Sequence, residues 1–221
     1  MVRKPRRRLG FWRRLAVVLL KPPLLVFTRR TWRGLSHVPA HGGVIIVSNH
    51  VSHADPVVVA HFVYDAGRWP QFLGKQSIFD VRGLGRLLHR WGQIPVRRGT
   101  VDAAQALDAA VAAVEAGDAV VIYPEGTTTK EPDLWPMRGR TGVARLWLAT
   151  GAPVVPVVSW GAQRIYDARA GKLRLRPRTP VTVVAGPPLD LSAFQHAEPS
   201  TDTLHKMGAA GVPPRWGARQ P

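Results

Sequence analysis

The sequence predicts an α/β fold: a single layered domain with a mostly parallel central sheet flanked by helices, preceded by an N-terminal segment that lies on a membrane surface. Three observations carry this expectation. From residue 44 onward, short β-branched runs alternate with helix-like stretches, the grammar of β-α-β units around a parallel sheet. The chain of 221 residues can bury a sizeable core without a second domain. The basic excess is N-terminal: the first 33 residues hold eleven Lys and Arg and no acid, and the first carboxylate is Asp55.

Taken in order, residues 1–34 form the basic and apolar segment. Leu15 to Phe27 is apolar except for Lys21 and is interrupted by Pro22-Pro23, too short for a span of about 20 apolar residues. The physical reading is an interfacial element, with Phe11, Trp12, Leu15, Val18, Leu19 and Leu24 entering the acyl boundary while arginines hold anionic headgroups. A helix docked on the protein's own core is the alternative. If the first reading holds, deleting residues 1–33 would remove the membrane anchor and leave a working catalyst.

Residues 35–190 form the folded domain. Strands are expected at Val44 to Ser48, Gln71 to Gly74, Ile94 to Val96, Ala119 to Tyr123, Val154 to Ser159 and Val181 to Ala185. Helices are expected from Pro56 to Tyr64, with Asp55 as N-cap, and at Gly83 to Trp91. A third is capped by Thr100 and runs Val101 to Ala116, with Ala104, Leu107, Val111 and Val114 on one face. A fourth runs Thr141 to Thr150 and stops at Gly151. Residues 191–221 decay into Pro, Ala and Gly and are expected to be a poorly ordered tail.

Composition limits the chemistry. Without cysteine, disulfides, thiolate zinc sites and a cysteine nucleophile are excluded. A formal charge of +17 seeks a polyanion. Three strand ends then offer functional groups: Asn49-His50 with Asp55, Arg97-Arg98, and Pro124-Glu125-Gly126-Thr127. In a parallel sheet all three would share the rim where sites form. On one regular helix, residues five apart diverge by about 140°, so His50 and Asp55 meet only if His50 lies in the turn before the helix. Asp55 would then hold one ring nitrogen and leave the other as a base. The plainer reading, a capping aspartate beside a turn histidine, stays open. So does a metal site built on His50, His53 and Asp55, with His61, His89, His196 or His205 as a further ligand. A non-catalytic basic module for membrane or nucleic acid is the rival from another class, but it gives no reason for these side chains to gather at strand ends.

At this point the residues carry a resemblance. Asn49-His50-x-x-x-x-Asp55 resembles the His-x4-Asp motif of the glycerolipid acyltransferases, the 1-acylglycerol-3-phosphate (lysophosphatidic acid) acyltransferase family. Gly92-Gln-Ile-Pro-Val-Arg-Arg98 resembles its second motif, Tyr123-Pro-Glu-Gly-Thr127 its third (Phe-Pro-Glu-Gly-Thr), and Ala152-Pro-Val-Val-Pro156-Val its fourth. Order and spacing agree over residues 35 to 190. The resemblance implies that His50 and Asp55 are catalytic, that Lys75 and Arg98 bind phosphate, and that Glu125, Gly126 and Thr127 bind the acceptor. The third motif usually continues Arg-Ser, where this chain has Thr128-Thr129; Arg138 or Arg140 could compensate.

The implied reaction fits the residues. A positioned histidine base contributes about 10²- to 10⁴-fold, and a thiolate leaves readily from a thioester. The expectation is an O-acyltransferase that takes a fatty acyl group from acyl-CoA or acyl carrier protein and gives it to the free hydroxyl of 1-acyl-sn-glycerol 3-phosphate, without a cofactor. Another lysophospholipid or a glycolipid is the alternative acceptor. Expected partners are an anionic membrane surface, the lysophospholipid and the acyl-CoA, with no nucleic acid. The expected location is the cytoplasmic face of the cell membrane, peripheral or monotopic.

Overall fold

The computed structural model describes residues 9–97 and 102–194. At its centre is β2 (Val44–Ser48), whose five residues are all buried. Side chains alternate across a strand, so Val44 and Ile46 face one layer and Ile45 and Val47 the other. Ile46 and Val44 pack with Val58, Val59, Phe62 and Val63 of α2 (Asp55–Asp65). Ile45 and Val47 share a core with Ala110 and Val114 of α5 (Asp102–Glu115), and with Leu146 and Trp147 of α6 (Gly142–Thr150). A sheet covered on both faces is what a run such as Val-Ile-Ile-Val requires.

The remaining strands are β1 (Thr28–Arg33), β3 (Pro70–Lys75), β4 (Ile94–Val96), β5 (Ala119–Ile122), β6 (Val154–Trp160) and, after a small β7–β8 ribbon (Tyr166–Asp167 with Lys172–Leu173), β9 (Thr179–Ala185). The seven-stranded order is β1-β9-β6-β2-β5-β3-β4. Neighbours are parallel except β6 and β9. Val47 pairs with Ile122, and Ser48 with Val157. The chain therefore leaves β2, β5 and β6 at a common rim, with β3 and β4 beyond β5. Two short helices, α3 (Gln76–Phe79) and α4 (Leu84–Arg90), follow β3.

All six expected strands and four expected helices are present, with boundaries shifted by a residue or two. Thr100 and Val101, the expected start of α5, lie outside the described residues. The buried face of α5 runs through Ala106, Ala110 and Val114, while Ala104 is exposed. Leu107 and Val111 of the expected face pack against the edge of the same core, partly buried.

The N-terminal segment departs most from expectation. Helix α1 (Phe11–Phe27) continues through Pro22-Pro23. Each proline lacks the N–H that would bond four residues back, and both sit on the exposed side, where water can reach the open carbonyls. Thr28 caps the helix by donating from Oγ1 to Leu24 O, and the chain then enters the sheet as β1, paired with β9 from Thr28↔Thr179 to Arg33↔Val184. The expected boundary at residue 34 thus falls after an edge strand of the domain. Docking and membrane contact are also not exclusive alternatives. Ala16 is buried, whereas Phe11, Val18, Leu19, Leu25 and Val26 are exposed. At the other end, Leu191 is buried within the expected tail, and residues 195–221 lie outside the described residues.

Asp65 ties α1 and β1 to α2. It accepts from Lys21 Nζ at 3.1 Å and Trp32 Nε1 at 3.0 Å. Burial alone would raise the Asp65 carboxyl, but these two hydrogen bonds hold it below the usual carboxylate range. Arg30 donates to His61 Nε2 at 2.8 Å, so the imidazole is neutral and its other nitrogen carries the proton. Burial first, then the charges of Arg30 and Lys21 against the opposing pull of Asp65, lower His61 to about 4. The unfolded chain takes up that proton near 6.5, so unfolding binds a proton between about pH 4 and 6.5. The His61 contribution is complete above pH 6.5 and is lost as pH falls toward 4, by up to about 3 kcal/mol. Denaturant melts at pH 7 and pH 4.5 are expected to show this slope, and His61→Gln, which keeps an acceptor for Arg30, is expected to flatten it.

Candidate active site

The turn from Asn49 to Ala54 is folded around a single carboxylate. Asp55 is fully buried. Its Oδ2 accepts from Val51 N at 2.7 Å, Ser52 N at 2.6 Å and His50 Nδ1 at 3.1 Å, and its Oδ1 accepts from Ser159 Oγ at 3.0 Å. The two residues meet because the backbone between them is a turn rather than a helix. Asp55 is accordingly not the N-cap expected of it. Ala54 holds that position without a side-chain cap, and the carboxylate reaches back into the turn. An ionised carboxylate only accepts hydrogen bonds, so Nδ1 of His50 carries the proton and Nε2 is left with its lone pair.

The imidazole is held from both sides. Its ring stacks on Tyr123 with centroids 4.2 Å apart and 20° between planes, and Phe72 continues the stack at 6.1 Å. The backbone is fixed by the segment after β5: Glu125 Oε1 accepts from His50 N at 3.1 Å, and Thr129 N donates to His50 O at 2.7 Å. From β6, Asn49 and Ser159 exchange hydrogen bonds, Nδ2 to Ser159 O at 3.1 Å and Ser159 N to Oδ1 at 2.8 Å. Ser159 and Asn49 are the functional residues that motif reasoning missed as partners. The available signal was a serine closing the apolar run of a central strand.

Glu125 is buried, and its other oxygen accepts from Met137 N at 3.0 Å. Burial pushes this carboxyl up, and the amides of Met137 and His50 pull part of the way back. Glu125 thus braces the base against the 130–140 loop. Gly126 makes the turn behind it at φ 71°, a left-handed conformation suited to glycine, and a Cβ there would meet Arg140 Nε at 3.2 Å.

Beside His50 opens a cavity of about 440 Å³. Its walls come from α1 (Ala16, Leu20, Leu24), α2 (Val57, Ala60), β3, and α3 and α4 (Ile78, Leu88), and are mostly apolar. His50, Lys75, Gly126, Thr127 and Thr128 are among its polar lining residues. The structure therefore brings together five of the expected residues, His50, Asp55, Lys75, Gly126 and Thr127, with Glu125 just behind the wall. Arg98 lies outside the described residues. Arg97, its neighbour, follows β4 on the same rim, where Val96 pairs with Lys75. His53 is exposed and stands against Tyr166 at 5.3 Å between centroids. Among the described residues, no three His, Asp or Glu side chains converge as metal ligands would.

A positioned imidazole with a free Nε2 on the wall of an apolar cavity can deprotonate a hydroxyl presented by a lipid. The family model described as Acyltransferase matches residues 29–160, more than half of the chain. The chain belongs to the acyltransferase family. Two curated relatives bear the name 1-acyl-sn-glycerol-3-phosphate acyltransferase: a chloroplastic protein of Brassica napus, 28% identical over 143 residues, and a protein of Borreliella burgdorferi, 26% identical over 134 residues. The matches cover 63% and 60% of this chain but only 39% and 52% of those proteins, so this acyltransferase chain spans about half of their length or less. An uncharacterised Mycobacterium leprae protein is 27% identical over 188 residues, covering 75% of this chain and 49% of that one. In fold, the acyltransferase is similar to the crystal structure of the 1-acyl-sn-glycerophosphate (LPA) acyltransferase PlsC from Thermotoga maritima. The TM-score is 0.60 at 22% identity, over 91% of this chain and 73% of that one. The matched α/β fold bears out the expected mostly parallel sheet flanked by helices.

Proposed function

We propose that this acyltransferase transfers a fatty acyl group from acyl-CoA or acyl carrier protein to the free hydroxyl of 1-acyl-sn-glycerol 3-phosphate at a membrane surface. The observation that carries the reading is the His50–Asp55 pair opening onto a mostly apolar cavity that Lys75 also lines. In the reaction His50 Nε2 takes the proton of the acceptor hydroxyl. The oxygen attacks the thioester carbonyl, the carbon–sulfur bond breaks, and the imidazolium returns the proton to the leaving thiolate. Asp55 holds the ring through Nδ1 and stabilises the imidazolium. Lys75 and Arg98 take the phosphate, Arg98 with a fork suited to bidentate pairing. Gly126 and Thr127 border the acceptor, and the apolar walls take the acyl chain.

The surface supports a membrane partner. Among the described residues no helix is long and apolar enough to cross a membrane. Exposed apolar side chains on α1 (Phe11, Val18, Leu19) and around α3 and α4 (Ile78, Val81, Leu84) stand among the exposed Arg14, Arg82, Arg86 and Arg90. Each cation contributes about 1 kcal/mol near an anionic leaflet. The acyl donors are cytosolic compounds, which puts the working face on the cytoplasmic side.

The test is mass spectrometry of products from purified protein given acyl-CoA and a mixture of lysophospholipids and glycolipids. Diacylglycerol 3-phosphate is expected as the main product. A product acylated on a different head group, with 1-acyl-sn-glycerol 3-phosphate left untouched, would reject the acceptor while keeping the reaction class.

A further inference from the structure

Burying a hydrogen-bond donor without a partner costs about 1–3 kcal/mol, so native proteins leave few such groups and each one calls for a reason. Among the described residues the side-chain polar atoms that are both buried and unpartnered are Tyr123 Oη and Trp91 Nε1. Both residues line the same cavity. They reach it from different elements, Tyr123 from the end of β5 and Trp91 from the end of α4.

Their surroundings say what they could hold. Tyr123 is stacked on the imidazole with centroids 4.2 Å apart, so its ring stands on the His50 side of the cavity. Burial, and after it the charge of Asp55, raises the phenol well above its usual range, so it stays a neutral donor at any working pH. Indole N–H is a donor only. Trp91 is fixed by Trp69 Nε1 donating to its carbonyl oxygen at 2.8 Å, and its neighbours on the cavity wall are Leu88 and Gln93. A neutral donor in apolar surroundings is matched by a neutral acceptor. An anion is better matched by the cation Lys75, which also lines the cavity. Within a fatty acyl ester or thioester, the neutral acceptor is the carbonyl oxygen.

We propose that Tyr123 Oη–H and Trp91 Nε1–H are the cavity's contacts to the carbonyl oxygens of the lipid's acyl groups, a subsite that reads the ester itself rather than the head group or the chain. The assignment rests on the acceptor reading given above. Both atoms are closed to water in this structure, so a ligand reaches them by parting the side chains that cover them.

The experiment compares 1-palmitoyl-glycerol 3-phosphate with 1-hexadecyl-glycerol 3-phosphate, an ether that lacks the carbonyl oxygen. Binding is measured calorimetrically without acyl donor, then kcat/KM with palmitoyl-CoA, for the wild-type protein, Tyr123→Phe and Trp91→Phe. Wild type is expected to favour the ester about tenfold, the discrimination that one lost hydrogen bond of this kind gives. In at least one variant the ester-to-ether ratio is expected to fall toward one. Tyr123→Phe, which removes only the orphaned oxygen, is expected to melt no lower than wild type. A ratio unmoved in both variants would overturn the subsite and leave the acceptor reading standing. A wild-type protein that neither binds nor acylates either lipid would sink the acceptor reading, and the subsite with it.

Discussion

Replacing His50 with alanine is expected to lower kcat by about 10²- to 10⁴-fold while moving the melting temperature by only a few degrees. The side chain is 13% exposed at the cavity wall, and its loss leaves Asp55 with two backbone amides and Ser159 Oγ. The turn therefore keeps its organising acceptor. Asp55→Asn is the informative companion. The amide would turn an N–H₂ toward donors at one of its two positions, in a site with no solvent access, so both turnover and stability are expected to fall, the latter by about 1–3 kcal/mol. Labelled acyl-CoA turnover and thermal melts on the two variants separate the roles. If His50→Ala kept more than a tenth of wild-type turnover, the imidazole would not be the base.

Deleting residues 1–33 is expected to abolish activity even when substrate is supplied in detergent, and to lower the melting temperature by about 10 °C or more if the protein folds at all. The truncation removes all of β1 and its ladder to β9, Lys21, Arg30 and Trp32 from the Asp65 cluster, and the Ala16, Leu20 and Leu24 wall of the cavity. Several kcal/mol lost from a domain of this size shifts its melting point by roughly 2–4 °C per kcal/mol. This is the reverse of a detachable anchor. The contrast is the double variant Val18→Ser, Leu19→Ser on the exposed face of α1. It is expected to weaken flotation with anionic vesicles and to leave both the melt and detergent-assayed turnover unchanged. Activity in the truncated protein equal to the intact chain would refute the shared-wall account.

The interior of the fold was legible because its signals are local. Four-residue β-branched runs bounded by Gly, Asp or Pro can only be buried strands here, and the helices carried their own stops at Gly117 and Gly151. The pair at the centre of the site was legible for a related reason: His50 and Asp55 are only five residues apart, close enough to meet once the stretch between them is a turn and not a helix. What stayed hidden depends on distant partners. Thr28 to Arg33 has three arginines and no apolar alternation, and becomes a strand only because β9 offers it an edge. Glu125 reads as a ligand by its motif, and its hydrogen bonds to two backbone amides, one 75 residues away, appear only in the folded chain. The closing role of Ser159 likewise depends on β6 lying beside β2.

The pairing of β1 with β9 also orders events in time. Thr28 meets Thr179, roughly 150 residues further along the chain, so the first strand has no neighbour until the last has been synthesised. With synthesis running at about 5–20 residues per second, α1 and its arginines are outside the ribosome for several seconds before the sheet can claim them. During that interval the basic, apolar helix is not tied to the sheet through β1. The α1 wall of the cavity is therefore joined to the sheet only when the final strand arrives.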